Sequence, residues 1–385
     1  MWAGACTSQA GTQMQTAAQA WVVLDLAQGD SFWLGVDQFL GQIPIVLFAL
    51  LAGVFADRHD RRKILLSSQF TQMSCAFVMA ALAFSGRIEI WHILILSFIV
   101  GSGQAFGGPS YSALIPTLVP KEHLPNAIAL NSIQFNLARV VGPTMAGIAL
   151  TVFGAALCFF LNGLSFVAVI LSLFIISVNY IPKKTSEPLG ESMKAGFRFL
   201  SNAGMKPLIA LAFLTTLLGF QTIAFVPVFA RDVFQGGETL YTFMLSSSGA
   251  GAVTGALLVA AIGTRKNLGR LALLAEATLG LTIIGFAWAP NPVVACVMIF
   301  LAGIALMAVF SMLTSLVQLI TPDDMRGRVL SVYNLSLRGG GPVGALIAGY
   351  LINIYGAPDV IGTAGILMIC LSAYFLLINR RVASL

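Results

Sequence analysis

The hydrophobic positions of this chain fall into long runs, and a bilayer-spanning helix needs about 20 mostly apolar residues. The first group of such runs covers residues 2–26, 32–56, 64–84, 91–114, 128–153 and 155–178. The second covers 208–229, 241–262, 271–289, 293–320, 329–354 and 360–379. The runs are too long and too evenly apolar for the alternating strands of a membrane barrel, which are about ten residues long. They predict an all-α polytopic membrane protein with twelve transmembrane helices.

The longest polar interruption, residues 179–206, divides the runs six and six. It carries Pro182, Lys183, Lys184, Pro188 and Gly190, which read as a linker. Residues 191–200 (ESMKAGFRFL) would separate apolar and basic side chains onto two faces if they formed a short surface helix. An ordinary solvated connector is the plainer alternative. The expected organisation is therefore an N-terminal half over 1–178, a cytoplasmic linker over 179–206 and a C-terminal half over 207–385.

Composition agrees and excludes other classes. Hydrophobic residues make up 58% of the chain and charged residues 9%, against about 25% charged in soluble domains. So few charges could not coat a water-facing surface of this size. The net charge of +6 needs no nucleic-acid partner to explain it. If the loop at 57–63 is cytoplasmic, all but four of the 21 Lys and Arg lie on that side. The exceptions are Arg87 and Arg231 opposite, and Arg139 and Arg338 within spans. That asymmetry places both termini in the cytoplasm. Cys6, Cys75, Cys158, Cys296 and Cys370 sit in apolar stretches without CxxC spacing, so neither a disulfide framework nor a metal site is expected.

The halves resemble each other. RVVGP at 139–143 recurs as RGGGP at 338–342, and LVPKE at 118–122 is matched by ITPDD at 320–324. Both pairs lie about 200 residues apart, in the same order and at corresponding places in each half. Parallel halves of this kind place a substrate path between them near the bilayer midplane.

Residues 53–63 (GVFADRHDRRK) join the second and third spans. They resemble the signature loop of the major facilitator superfamily, with Gly53, Asp57, Arg58, Arg61 and Arg62 matching and Asp60 replacing a usual glycine. The resemblance implies a conformational latch. In it Asp57 caps a neighbouring helix N-terminus, and the arginines pair with acids on facing helices. The bland alternative is a topology signal only. Residues 263–270 (GTRKNLGR) keep the cations and lose the acid, as a degenerate second copy. Gly142, Pro143 and Gly147 look like a reduced form of the family's antiporter motif, with Gly341 and Pro342 as the repeat. Small residues there favour close helix packing.

Four ionisable residues fall inside spans: Asp37, Arg139, Glu276 and Arg338. Such residues usually face a cavity or a partner. Arg139 and Arg338 lie roughly 16 and 14 Å from the cytoplasmic ends of their spans, and Asp37 and Glu276 about 7 Å from span ends. Asp37 and Glu276 are the proton-coupling candidates, with interfacial snorkelling as the alternative. Arg139, Arg338, Gln13, Gln42, Asn136 and Gln221 are the substrate-cavity candidates, with structural hydrogen bonding as the alternative for the arginines. The glutamines Gln9, Gln13, Gln15 and Gln19 of the first span are expected to line a cavity.

No catalytic set emerges, since His59, His92 and His123 all fall at loops or span ends. GSGQAFG at 101–107 lies inside an apolar span and reads as packing, not as a nucleotide loop, and no Walker lysine is present. Stretches 56–64, 118–122, 129–132, 229–233 and 326–333 are similar to the exporter branch of the superfamily that includes the enterobactin and macrolide efflux proteins. That resemblance implies a monomeric secondary transporter of the bacterial inner membrane. Its partners are a small organic substrate of drug, macrolide or siderophore type, protons and the lipid bilayer, and its energy is the proton gradient, with no cofactor or metal. It is not expected to be an enzyme. Members of the branch usually carry a short basic leader, and the chain's abrupt start points to a shortened gene start or a truncation. The competing expectations are an uptake symporter or facilitator of the same fold and a non-transporting receptor or scaffold.

Overall fold

A computed structural model describes residues 2–175, 198–199, 205–262, 267–322, 325–378 and 382. The described residues form twelve long helices and no strand. The first group is α1 (Trp2–Leu26), α2 (Ser31–Arg58), α3 (Arg61–Phe84), α4 (Ile90–Leu118), α5 (Leu124–Phe153) and α6 (Ala155–Ile175). α7 runs over Lys206–Ala224 and is prolonged by Val226–Val228 and a π turn at Phe229–Val233. The rest are α8 (Glu238–Ile262), α9 (Leu268–Ala287), α10 (Pro292–Ile320), α11 (Arg326–Tyr355) and α12 (Ala357–Leu377). Lipid offers no hydrogen bonds to the backbone, so an apolar run of this length has the helix as its only satisfied conformation.

Eleven of these helices are long and apolar enough by composition to cross a membrane. α1 is helical over the expected residues but falls outside that set, because its glutamines and hydroxyl residues dilute the apolar run. The surface helix expected at 191–200 lies outside the described residues except for Arg198 and Phe199, which are helical.

Two compact units divide the chain. One holds residues 1–29 and 36–186, the other 30–35 and 187–385. In the first, α1 packs on α5 and α6, and α3 on α4 and α6. In the second, α7 packs on α11, and α9 on α10 and α12. The internal repeat is therefore one of helix pairing as well as of sequence. It extends to the turns: Gly154 (φ 78°) ends α5 and Gly356 (φ 85°) ends α11. Their N–H groups reach back to Leu150 O and Ile352 O at 3.0 and 2.8 Å. Only glycine takes that left-handed backbone without strain.

Apolar packing fixes the helices at the end of the first unit that bears the signature loop. Leu65, Leu114, Val169 and Leu173 join α3, α4 and α6 in one buried cluster. In the second unit a larger cluster built on Leu208, Leu273, Val309, Leu313, Val332 and Phe375 joins α7 and α9 through α12.

Candidate functional site

Asp60, where the signature has glycine, is the N-cap of α3, and its carboxylate accepts from Arg62 N at 2.9 Å. Aspartate is among the preferred residues at that position because it satisfies one of the four orphan N–H groups of a helix start. Arg62 in turn crosses to the end of α6, donating from Nε to Leu173 O at 2.7 Å and from Nη2 to Phe174 O at 3.0 Å. A cation on those orphan carbonyls also meets the negative end of the helix dipole. Arg61 Nη1 donates to Ala113 O of α4 at 3.1 Å. Among the described residues Arg62 thus binds carbonyls and not the acid that a latch would supply. Gly53, Asp57 and Arg58 lie on the last turns of α2, and the side chains of Asp57 and Arg58 are outside the described part.

The two intramembrane acids are sealed inside their units. Asp37 on α2 is 3% exposed. Ser97 Oγ of α4 donates to its Oδ1 at 2.5 Å, and Gln19 Nε2 of α1 stands 2.9 Å from both oxygens. Gln19 Nε2 also lies 2.9 Å from Ser97 Oγ, closing the group. Glu276 on α9 is fully buried. Its partner is Thr215 of α7, whose Oγ1 lies 3.0 Å from each carboxyl oxygen and 2.8 Å from Leu211 O. Neither acid has a basic partner among the described residues. Burial replaces the interfacial snorkelling that was the alternative for both.

These two environments differ chemically. Asp37 faces donors only, an amide N–H group and a hydroxyl, which suits an anion. Thr215 has one hydroxyl hydrogen and two acceptors in reach. Leu211 O and the carboxyl of Glu276 share that one hydrogen, so an ionised Glu276 has at most one donor among the described residues. The second arrangement suits a neutral acid, and burying an unpaired carboxylate there would be costly.

The arginines stand apart from both acids. Arg139 on α5 and Arg338 on α11 are exposed and have no hydrogen bond or ion pair among the described residues. Gln42 is exposed on α2, and Asn136 is half-buried with Nδ2 on Ser132 O at 2.9 Å. Gln13 is half-buried where α1 crosses α5: a Cβ on Gly142 would stand 2.4 Å from Gln13 Cβ. Pro143 is buried beside it, and Gly147 is half-buried one turn on. The equivalent crossing of α7 and α11 corrects the sequence reading. A Cβ on Gly341, next to Pro342, would meet open space, whereas one on Gly340 or Gly344 would lie 2.3 or 2.1 Å from the carbonyls of Phe213 or Leu217. The close-packed face is set by helical phase, which the RxxGP match does not carry.

The glutamines expected to line a cavity also divide. Gln15 is buried, with Oε1 accepting from Asn162 Nδ2 at 2.7 Å, and Gln19 serves Asp37. Gln221 is 3% exposed, with Nε2 on Leu217 O at 3.0 Å and on Gly341 O at 3.2 Å. Sequence reasoning missed Ser97, Thr215 and Asn162. A lone asparagine in the very apolar sixth run was the one available signal. No cluster able to hold a metal ion exists among the described residues.

Twelve long helices, repeated pairing within each half and buried acids in the spans define a transporter of the major facilitator type. The family model for transmembrane secretion effectors matches residues 1–384, and the chain belongs to that family. It is 26% identical over 371 residues to the staphyloferrin A transporter of Staphylococcus aureus, covering 94% of this chain and 91% of that one. It is 24% identical to macrolide efflux protein A of Streptococcus pyogenes, covering 91% and 88%. It is 27% identical to the enterobactin exporter EntS of Escherichia coli O1:K1 / APEC, covering 78% and 72%. Among solved structures, a POT family transporter in complex with 5-aminolevulinic acid superposes with a TM-score of 0.78 at 10% identity, covering 99% and 96%. The inward-open xylose transporter XylE from E. coli gives 0.72 at 13% identity, covering 98% and 94%. These likenesses carry the fold. The family and its relatives are transporters and not enzymes.

Proposed function

We propose that this chain exports a small organic molecule across the bacterial inner membrane in exchange for protons, by alternating access, with both termini in the cytoplasm. The observation that carries the proton coupling is Glu276, fully buried and facing, among the described residues, a single hydroxyl and no cation. A carboxyl so placed is stable when protonated. It becomes unstable when it ionises, so proton binding and release bias the conformational equilibrium. Asp37 is the second proton-coupling residue in this reading. The direction is supported by relatives named as efflux protein and exporter.

Arg139 and Arg338, each without a hydrogen bond or ion pair among the described residues, are in this reading the substrate-contact residues of their own units, with Gln13, Gln42 and Asn136 as polar contacts in the first and Gln221 in the second. Carboxylate-bearing compounds of siderophore type suit them better than neutral ones. Asp57, Arg58, Arg61 and Arg62 form the conformational switch, and Gly142, Pro143 and Gly147 shape α5, as Pro342 shapes α11. The protein acts as a monomer and needs no cofactor beyond the proton gradient.

The test is efflux into or out of everted membrane vesicles loaded with candidate compounds. Uphill movement that collapses when a protonophore dissipates the gradient supports the proposal. Movement that ignores the gradient removes proton coupling, and accumulation in intact cells reverses the direction.

A further inference from the structure

A groove of about 440 Å³ lies within the second unit, between α7, α11 and α12. Its walls include Leu218, Ile347, Leu351 and Leu367, and Tyr355, Asp359 and Thr363 line its end at the α11–α12 turn. Ile347, Tyr355 and Leu367 are exposed, so the groove opens on the protein surface. Trp288 and Tyr355 are exposed at the turn end, and amphipathic aromatics of this kind mark the level of lipid headgroups. From Asp359 to Leu367 the groove extends about 12 Å along α12. That is close to one leaflet of a hydrocarbon core about 30 Å thick.

The polar groups at that end are graded with depth. Asp359, Thr363 and Leu367 recur every four residues and share one face of α12. Asp359 is exposed in the first turn. Trp288 Nε1 donates to its Oδ1 at 3.4 Å, and no cation pairs with it among the described residues. Thr363 is exposed, and its hydroxyl makes no hydrogen bond among the described residues. Thr242, Thr254, Thr278 and Thr314 instead donate to the carbonyl four residues back. The Tyr355 hydroxyl, across the groove on α11, is also unbonded there. Thr363 lies about 6 Å deeper than Asp359, which matches an interfacial band about 5–7 Å thick on each side of the hydrocarbon. The order inward is an unneutralised carboxylate, then hydroxyl donors, then apolar walls. A plain hydrocarbon uses only the last of these, and an anionic headgroup is repelled by the first. A phospholipid with an amine headgroup uses all three: its ammonium meets the carboxylate, its ester carbonyls accept from the hydroxyls, and an acyl chain fills the walls.

We infer that this groove is a binding site for a phospholipid with a primary ammonium headgroup, held by Asp359 at the mouth, by Thr363 and Tyr355 at the esters and by the apolar walls along one acyl chain. The inference does not rest on the export reading, because binding is measured without transport. Full-length protein is placed in phosphatidylcholine nanodiscs containing a small fraction of phosphatidylethanolamine or of phosphatidylglycerol, each with the same diazirine-bearing acyl chain. After irradiation, adducts are mapped by peptide mass spectrometry. Phosphatidylethanolamine is expected to label residues 344–355 and 359–367 about tenfold more than phosphatidylglycerol does, the low end of what a charged hydrogen bond contributes. Asp359→Asn should erase that preference, and Thr363→Val should weaken labelling by both lipids about threefold. Ile347→Trp should block both by filling the groove; it carries the test if Asp359→Asn fails to fold. Equal labelling by the two lipids would mean that any acyl chain fills the groove, and would overturn the inference. So would a preference that survives Asp359→Asn, or labelling unchanged in Ile347→Trp.

Discussion

Thr215 Oγ1 sits 3.0 Å from each oxygen of Glu276 and 2.8 Å from the carbonyl of Leu211, so one hydroxyl joins a buried acid to the turn of helix below it. The single hydrogen of that hydroxyl decides the chemistry. Glu276→Gln keeps the shape and keeps a donor for Thr215. The variant should fold and insert normally, lose proton-driven uphill transport, and retain substrate exchange across a vesicle with no gradient. Counterflow with wild-type proton coupling would show that Glu276 is structural. Thr215→Val removes the partner and leaves the carboxyl buried alone. It should lower stability by about 1–3 kcal/mol, read as a lower unfolding temperature in detergent.

Asp37 depends on the opposite arrangement, two donors converging on an anion. Ser97→Ala deletes one charge-assisted bond from a buried group and should cost about 1.5–3 kcal/mol. Asp37→Asn removes the charge and one of the two acceptor oxygens facing Gln19 and Ser97 and should cost as much. Thermal unfolding of both variants measures this. A wild-type unfolding temperature in Ser97→Ala would show that the 2.5 Å contact carries no net stability.

The reach of the sequence ended where contacts depend on the phase of one helix against another. Apolar length alone located the helices, because the bilayer leaves the backbone no other choice. It succeeded even for α1, whose glutamines lie at the positions that later meet Asn162 and Asp37. The repeated RxxGP pentapeptide marked close packing on α5 and α11 without naming the partner helices, and pointed to Gly341, one residue from the contact at Gly340. Ser97 and Thr215 were invisible because hydroxyl residues are scattered through all the spans, and only a partner on another helix distinguishes these two. Asp60 read as a lost glycine until its capping bond to Arg62 N gave it a role.

That role is open to measurement. Asp60→Gly restores the family's residue and should cost only a few tenths of a kcal/mol, because glycine is tolerated at an N-cap, whereas Asp60→Ala should cost about 1 kcal/mol. Arg62→Ala strips the cation from Leu173 O and Phe174 O at the end of α6 and should cost up to about 2 kcal/mol. Arg62→Lys should recover part of it, as one ammonium cannot span both carbonyls as the guanidinium does. Loss of transport in Arg62→Ala at unchanged unfolding temperature would mean that the arginine acts in the conformational cycle and not as a cap.

The α7–α11 crossing separates two glycines three positions apart on α11. Gly344→Ala drives a methyl group to 2.1 Å from the Leu217 carbonyl oxygen, which belongs to the backbone and cannot yield without moving α7. Such overpacking should cost about 1–3 kcal/mol. Gly341→Ala meets nothing within 4 Å and should be neutral or stabilising, by up to about 1 kcal/mol from helix propensity. If the RxxGP repeat instead marked a contact needed at every glycine, both variants would be destabilised alike.

Arg139 and Arg338 provide the sharpest division between substrate binding and structure. Each is exposed and makes no hydrogen bond or ion pair among the described residues, so removing the charge breaks no bond there. Arg139→Gln and Arg338→Gln should therefore leave the unfolding temperature within about 0.5 kcal/mol of wild type, as expected for a substitution away from any packed contact. Transport of an organic anion should suffer far more. Loss of one charged hydrogen bond is worth about 1.5–3 kcal/mol, which corresponds to a roughly tenfold to hundredfold rise in KM. A neutral substrate of similar size should be moved at nearly the wild-type rate. Equal impairment of neutral and anionic compounds would place the arginines in the conformational cycle, and a large fall in unfolding temperature would make them structural.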